Sequence, residues 1–384
     1  MVSNTIKESP TITNNMPQEI GSKDKEEERR KRIFAQESSH WYHHNAVPCH
    51  QVLKAKKRIG DPDEYRPATI SDARKLNLLP SVTNLIGKYS NKAGIEIWKR
   101  SILLDSIDMH LALDLYEAGE DEGKREAIFK KIAEAADKET GKYAELGTLV
   151  HACIEKGIQK ILGGADAGTI LVMVGEFVRG SGYEESAGRI TDIIMLLHEQ
   201  KIIFGGVKVI QEKGFAFNIQ LPDGTDFGLA GKVDMLIEYS PQQVKTGLLP
   251  KPEAFSHFRT LALMRAERGL PTRLLLDFKT RKPNRLKDGR VTFPGYSSDA
   301  TQLAGYAEGA KFAAGFKPDA CFNVMIASDS VRDLDLLPAV EFRTHDERDL
   351  AHAMQILKAM AMMWVSEERI AIADPYIPCV PQAI

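Results

Sequence analysis

The chain is poor in cysteine and pairs none of what it has. Cys49, Cys153, Cys321 and Cys379 are scattered through 384 residues with no C-x-x-C spacing. That excludes a disulfide-stapled secreted fold and fits a reducing cytoplasm. Long apolar runs are also missing, and none approaches the ~20 residues a membrane span requires. The opening stretch MVSNTIKESPTITNN lacks the apolar core of a signal peptide, so the expectation is an intracellular protein with no membrane association. An excess of one charge is absent too. The net charge of −2, from 51 basic and 53 acidic residues, gives no overall pull toward nucleic acid. Any polyanion would have to be held by a local basic patch. What is present, 43% hydrophobic and 27% charged residues, is the composition of a globular protein. The length suits one large domain or two ordinary ones.

Residues 1–38 are polar and carry the block SKDKEEERRKR, which reads as a disordered arm or a frayed helix. His40, His43, His44, Cys49 and His50 cluster next, in SSHWYHHNAVPCHQV. Their spacing fits no zinc pattern, and the alternation around Pro48 reads instead as an irregular strand pair. Residues 39–140 read as a mainly helical leader, with Ser71 as one N-cap, Ser81 or Thr83 as the next, and helical spacing over 101–117 and 124–137. Further helices are expected at 144–162, 169–179 and 186–203. The texture then turns to strand: VKVIQEKGFAFNIQL and FGLAGKVDMLIEY flank the turn PDGTD. A partly helical insertion at 241–271 precedes a strand at 273–279, a helix at 299–315, a strand at 320–328 and a helix at 346–367. These complete a core unit spanning 141–370, and a Pro-rich tail follows at 371–384.

Within that unit, LLLDFKTRKPN raises a question of charge. Side chains alternate along a strand, so Asp277 and Lys279 point the same way, at the end of an otherwise apolar run. A strand-end ion pair is one reading. Asp234, in GKVDMLIEY on the preceding strand, offers another: two carboxylates brought together repel unless a cation lies between them, and hard oxygen donors suit Mg²⁺ or Mn²⁺. Gly231 leaves room for close backbone or substrate approach. His151 and Glu155 share one helical face at i, i+4, either as a metal ligand with an acidic neighbour or as ordinary helix side chains. Gln302 and Tyr306 form a second i, i+4 pair, able to bond phosphate oxygens or orient a lysine. From Lys279 to Arg290 there are six basic residues, Lys279, Arg281, Lys282, Arg285, Lys287 and Arg290, against one acidic residue, Asp288. This is a phosphate-binding surface or a solvated loop. A second run, Lys54, Lys56, Lys57 and Arg58, reads as ordinary surface.

Taken in order, GTLVHACIE, GKVDMLIEY, LLLDFKTRK and QLAGYAEG resemble the RecB-type branch of the PD-(D/E)XK nuclease superfamily, over about residues 144–330. LLPSVTNLIGKYSNKAGIEIWKR is similar to the helical leader of phage-type and organellar single-domain members. The resemblance implies an α/β fold, with a restriction-endonuclease-like core (a central mixed sheet flanked by helices) behind an N-terminal helical extension. It implies His151, Asp234, Asp277 and the Phe278 carbonyl as metal ligands, and Lys279 as the catalytic lysine. Gln302 and Tyr306 are implied to support the site and contact the DNA backbone, and Glu212 is an acidic position on the first strand. Mg²⁺ or Mn²⁺ is the implied cofactor. Some relatives carry an iron–sulfur cluster, but the cysteine pattern that holds it is missing here, so none is expected. The implied activity is a metal-dependent DNA exonuclease acting on free ends or single strands in recombination or repair, in a phage-encoded or similar setting. A recombination or annealing protein is a candidate partner. A structure-selective endonuclease and a non-catalytic DNA-binding module with a nuclease fold are the alternatives, and the intact Asp, Asp and Lys argue against the module.

Overall fold

The computed structural model describes residues 41–49, 51–54, 64–90, 100–328 and 340–368. The polar arm, the Pro-rich tail, most of the second basic run, and His40 and His50 lie outside the described residues.

Short strands as well as helices build the leader. Trp41–Tyr42 (β1) pairs antiparallel with Leu79–Pro80 (β4), and Gln51–Leu53 (β2) with Tyr65–Pro67 (β3). The first leader helix, Ile70–Leu76 (α1), starts from Thr69, two residues earlier than the expected cap at Ser71. The Asp72 carboxylate explains the shift. It accepts from the Thr69 backbone N–H at 2.8 Å and the Thr69 hydroxyl at 2.7 Å, and it pairs with both Arg66 nitrogens at 2.6 and 2.8 Å. The Arg66 and Thr69 bonds together hold Asp72 well below the usual carboxylate range. The next helix, Val82–Tyr89 (α2), is capped by Ser81, whose hydroxyl accepts from Asn84 N–H at 2.9 Å. His44 Nε2 donates to the Asn77 carbonyl at 3.0 Å, which ties one histidine of the cluster to the leader's own backbone.

Met109–Ala118 (α3) is followed by one unbroken helix of 41 residues, Glu122–Leu162 (α4). The expected helices at 124–137 and 144–162 are therefore a single rod of roughly 60 Å at 1.5 Å per residue. Between them lies DKETGKY, which contains no proline. Its one glycine, Gly141, costs about 1 kcal/mol relative to alanine, too little to end a helix anchored at both ends. The free end has a small core of its own, Ala118, Ile128 and Ile132 with Ile107, Leu111 and Leu115. Ala167–Val178 (α5) and Ala187–Glu199 (α6) complete this helical group.

Among the described residues the main sheet has five strands. Lys208–Gln220 (β5) and Asp226–Tyr239 (β6) form the expected hairpin. Pro241–Lys245 (α7) and Ser256–Glu267 (α8) occupy the insertion, and Thr272–Arg281 (β7) returns beside β6. Beyond β7 a small hairpin, Asn284–Arg285 (β8) with Val291–Thr292 (β9), leads to Ser297–Ala314 (α9). Ala320–Ala327 (β10) then pairs parallel to β7. Val340–His345 (β11) closes the edge before Glu347–Glu368 (α10). The spatial order is β11-β10-β7-β6-β5, a mixed sheet in an α/β fold. Helices cover both faces. Ile154 and Ile158 of α4, Val174, Ile194 and Phe258 pack with Ile237, Leu276 and Val324 on one side. Leu85, Leu303, Leu357 and Trp364 pack with Phe217, Leu236 and Leu275 on the other.

Candidate active site at the end of the β6/β7 ladder

The β6/β7 ladder runs from Tyr239↔Thr272 to Met235↔Leu276 and stops there. The next positions in that register are Asp234 and Asp277. The strands part at this point because the Asp234 carboxylate replaces a backbone partner: its Oδ2 accepts the Phe278 N–H at 2.8 Å. Two carboxylates thus face each other where two central strands diverge. α4 crosses this opening from one side. His151 Nδ1 lies 3.7 Å from the same Asp234 oxygen, and its ring stands edge-on to Phe278 with centroids 6.0 Å apart. Glu155, one turn further, is half-buried, and its tie to β5 runs through its backbone carbonyl, which accepts from Gln211 Nε2 at 3.2 Å.

Lys279 follows Asp277 on the same face, as alternation requires. Its ammonium bridges both Asp277 oxygens, at 2.9 and 2.7 Å. Asp277 is 1% exposed. Burial pushes its carboxyl up to about 6, with Lys279 opposing the rise and Asp234 adding to it. Glu212 lies between Gln211↔Met235 and Lys213↔Val233, where the β5/β6 ladder skips a pair, and has φ of 51°, a left-handed conformation rare for glutamate in a strand. The alternation of both strands inverts across this position: Ile210 and Leu236 face the α9 side, and so do Phe215 and Val233. The kink presents Glu212 to the site. Burial, then the Asp234 charge, raises its carboxyl to about 7 even though Lys232 is ion-paired to it. Backbone strain of this kind persists where surrounding structure enforces it, which is common at functional sites.

α9 supplies the opposite wall. Gln302 Nε2 donates to the Tyr306 oxygen at 2.7 Å, and Thr83 of α2 stands 3.5 Å from the same oxygen. Burial, and after it the charges of Asp277 and Asp234, keep the Tyr306 phenol well above its usual range, so it stays protonated. The leader therefore contributes a side chain to this wall, a role its own sequence did not suggest. Gly231 does something other than admit substrate. A Cβ there would meet the Phe215 ring at 2.6 Å, so the glycine makes room for Phe215, which lies edge-on to Tyr306 at 5.6 Å between centroids.

The basic segment is the β8/β9 hairpin. Lys282, Arg285, Lys287 and Arg290 are exposed on it, Arg290 in an exposed pair with Asp288 at 2.8 Å. Arg281 differs from them. Its guanidinium bonds the buried Asp299 at 2.9 Å and lies over the Tyr296 ring at 4.9 Å, so it secures the start of α9. Two further residues of the site escaped the sequence reading. Asn323 Nδ2 donates to Asp277 Oδ2 at 2.7 Å, and His345 Nε2 lies 2.7 Å from Asn323 Oδ1. A lone asparagine inside ACFNVMIAS was the available signal, because a buried amide demands partners.

No protein-family model matches the chain, and no curated protein matches it.

As placed, no three His, Cys, Asp or Glu side chains among the described residues are gathered to hold a metal ion. Lys279 closes on Asp277, and Lys232 on Glu212. The donor chemistry nevertheless fits a hard divalent cation. The carboxylates of Asp277 and Glu212 are both raised, first by burial and also by the Asp234 charge, with Lys279, Lys232 and His151 opposing the rise, and oxygen donors that gain from a nearby cation are the type such an ion takes.

Proposed function

We propose that this protein is a divalent-metal-dependent deoxyribonuclease that hydrolyses phosphodiester bonds, acting on DNA ends or single strands. The observation that carries the reading is the juxtaposition of Asp234 and Asp277 at the ladder end, with Lys279 on the same face. The order of motifs that resembles the RecB-type nucleases supports it.

In this reading Asp234, Asp277, His151 and the Phe278 carbonyl hold Mg²⁺ or Mn²⁺, with Glu212 beside them. The ion, when bound, supplies Lewis acidity, lowering the pKa of a water and offsetting phosphate charge. The chain's own groups do the remainder. Lys279 orients the attacking water and stabilises charge developing on the phosphate. The protonated Tyr306 phenol, fixed by Gln302, is a hydrogen-bond donor toward a phosphate oxygen. The exposed cations of the β8/β9 hairpin hold flanking phosphates. Water oxygen bonds to phosphorus, the bond to the 3′ oxygen breaks, and that oxygen takes a proton. The products are a 5′-phosphate and a 3′-hydroxyl. End processing in recombination or repair, beside an annealing or recombination protein, is the setting this activity suits.

The test compares linear with covalently closed circular DNA, each with Mg²⁺, Mn²⁺ or EDTA. Loss of linear DNA from its ends, with circles intact and EDTA inhibitory, supports the exonuclease. Cut circles point to a structure-selective endonuclease. Two intact substrates overturn the catalytic reading and leave a DNA-binding module.

A further inference from the structure

Asn323 is fully buried in the middle of β10, among Phe322, Val324, Met325 and Ile326. An amide in such a place costs stability unless its donor and acceptor are both matched. Both matches are with side chains on the same face of the sheet. The parallel register sets Asn323 directly opposite Asp277. Asp277, ion-paired to Lys279, offers only acceptors, so Nδ2 is the atom turned toward it, at 2.7 Å. That leaves Asn323 Oδ1 facing His345 Nε2 at 2.7 Å, and a carbonyl oxygen accepts, so His345 carries its proton on Nε2. The donor is the same whether the imidazole is neutral or charged. His345 is the last residue of β11, at the sheet edge. A directed chain of donors therefore runs from the edge strand across β10 to the buried carboxylate: imidazole N–H to amide oxygen, amide N–H to Asp277.

We propose that Asn323 and His345 are positioning residues for the reaction: His345 locks the amide of Asn323, and the amide fixes the plane of the Asp277 carboxylate. The other side chain bonded to the Asp277 carboxylate is Lys279, the group that the nuclease reading assigns to the attacking water. The chain of donors keeps the carboxylate oriented when the lysine turns to substrate. This inference rests on the nuclease reading and deepens it, by extending the site to two strands outside the four motif stretches.

The test uses the full chain and four proteins: wild type, Asn323→Leu, His345→Leu and His345→Gln. Glutamine places an N–H donor near the position of His Nε2, whereas leucine removes it. Each protein is measured for single-turnover DNA cleavage, for KM toward DNA, for Mn²⁺ affinity by calorimetry in the absence of DNA, and for thermal unfolding. Groups that orient ligating side chains typically contribute about 10- to 100-fold in metal affinity or activity. Both leucine variants are expected to lose cleavage rate on that scale and to bind Mn²⁺ more weakly, with KM for DNA within about twofold. His345→Gln is expected to recover to within about threefold of wild type. A folded Asn323→Leu or His345→Leu protein with wild-type rate and wild-type Mn²⁺ affinity overturns the proposal. So does a glutamine variant as impaired as the leucine variant, because that pattern marks a structural role. If Asn323→Leu fails to fold, the two His345 variants decide the matter alone. A wild-type protein that neither binds Mn²⁺ nor cuts DNA overturns the nuclease reading itself. Active wild type with unaffected variants overturns only the relay.

Discussion

Lys279→Met separates a catalytic lysine from a strand-end ion pair, because the structure sets the size of the stability effect in advance. Asp277 is raised from an ordinary 3.8 to about 6. A carboxyl raised on folding binds its proton more tightly in the folded protein than in the unfolded chain. Its contribution is therefore most favourable below pH 3.8 and declines as pH climbs to about 6. In metal-free wild type at pH 7 this decline amounts to about 3 kcal/mol, at ~1.4 kcal/mol per pH unit. Methionine keeps most of the apolar stem and removes the ammonium, so Asp277 loses its cation and takes up a proton instead of remaining charged. Protonation limits the cost. At most the variant's carboxyl stays protonated in the folded state, so at pH 7 the variant lies on the order of 1 kcal/mol below wild type, and the gap closes as pH falls toward 5. Denaturant unfolding in EDTA at pH 5, 7 and 8 measures this. Alongside it, single-turnover cleavage with Mg²⁺ is expected to fall at least ~10²-fold, the scale of a positioned electrostatic or acid–base group. DNA binding is expected to change much less. A folded variant that cuts at the wild-type rate would reduce Asp277 and Lys279 to an ion pair. A stability gap that did not shrink between pH 7 and pH 5 would refute the electrostatic reasoning.

Four other outcomes follow from the same geometry. His151→Ala should slow cleavage, and raised Mn²⁺ should restore part of the rate; unchanged activity and Mn²⁺ affinity would remove His151 from the site. Changing Lys282, Arg285 and Lys287 together to Glu should weaken DNA binding and flatten its salt dependence by roughly 0.7–0.9 log units per lost phosphate contact. Arg281→Ala should instead act mainly on stability, since Arg281 is the partner of buried Asp299; an unaltered salt slope in the triple variant would place DNA elsewhere. Gly231→Ala should cost about 1–3 kcal/mol in unfolding measurements, because its Cβ must displace the Phe215 ring; an unchanged midpoint would show that Phe215 yields freely.

Apolar runs bounded by turn signals made the sheet hairpin, β7 and β10 readable, and long stretches free of helix breakers did the same for α9 and α10. Fusion of two expected helices into α4 was hidden because the polar DKETGKY segment looks like a linker, yet contains nothing that terminates a helix. β11 was missed although VEFRTH alternates Val340 and Phe342 with Glu341 and Arg343, because the alternating stretch is only four residues long and too short to stand out. The hairpin β8/β9 has two residues per strand, too short for any period. At the site, Asp277 and Lys279 declare their shared face through spacing alone. The placement of Asp234 opposite Asp277 depends on register, and that of Thr83 beside Tyr306 on how the leader folds back. Neither is encoded locally. Glu212 shows a third kind of opacity: its strand is plain in the sequence, while nothing local marks the left-handed kink at the position where the β5/β6 ladder skips a pair.

The most direct measurement for the central claim is cleavage of linear duplex and single-stranded DNA by Asp277→Asn in Mg²⁺, beside wild type, with unfolding and Mn²⁺ binding recorded on the same samples. The substitution keeps shape and removes the charge that a divalent ion and Lys279 both require. The account predicts a folded variant with no detectable cleavage and weakened Mn²⁺ binding, next to a wild type that cuts and is silenced by EDTA. A folded Asp277→Asn protein that degrades DNA at the wild-type rate would contradict it.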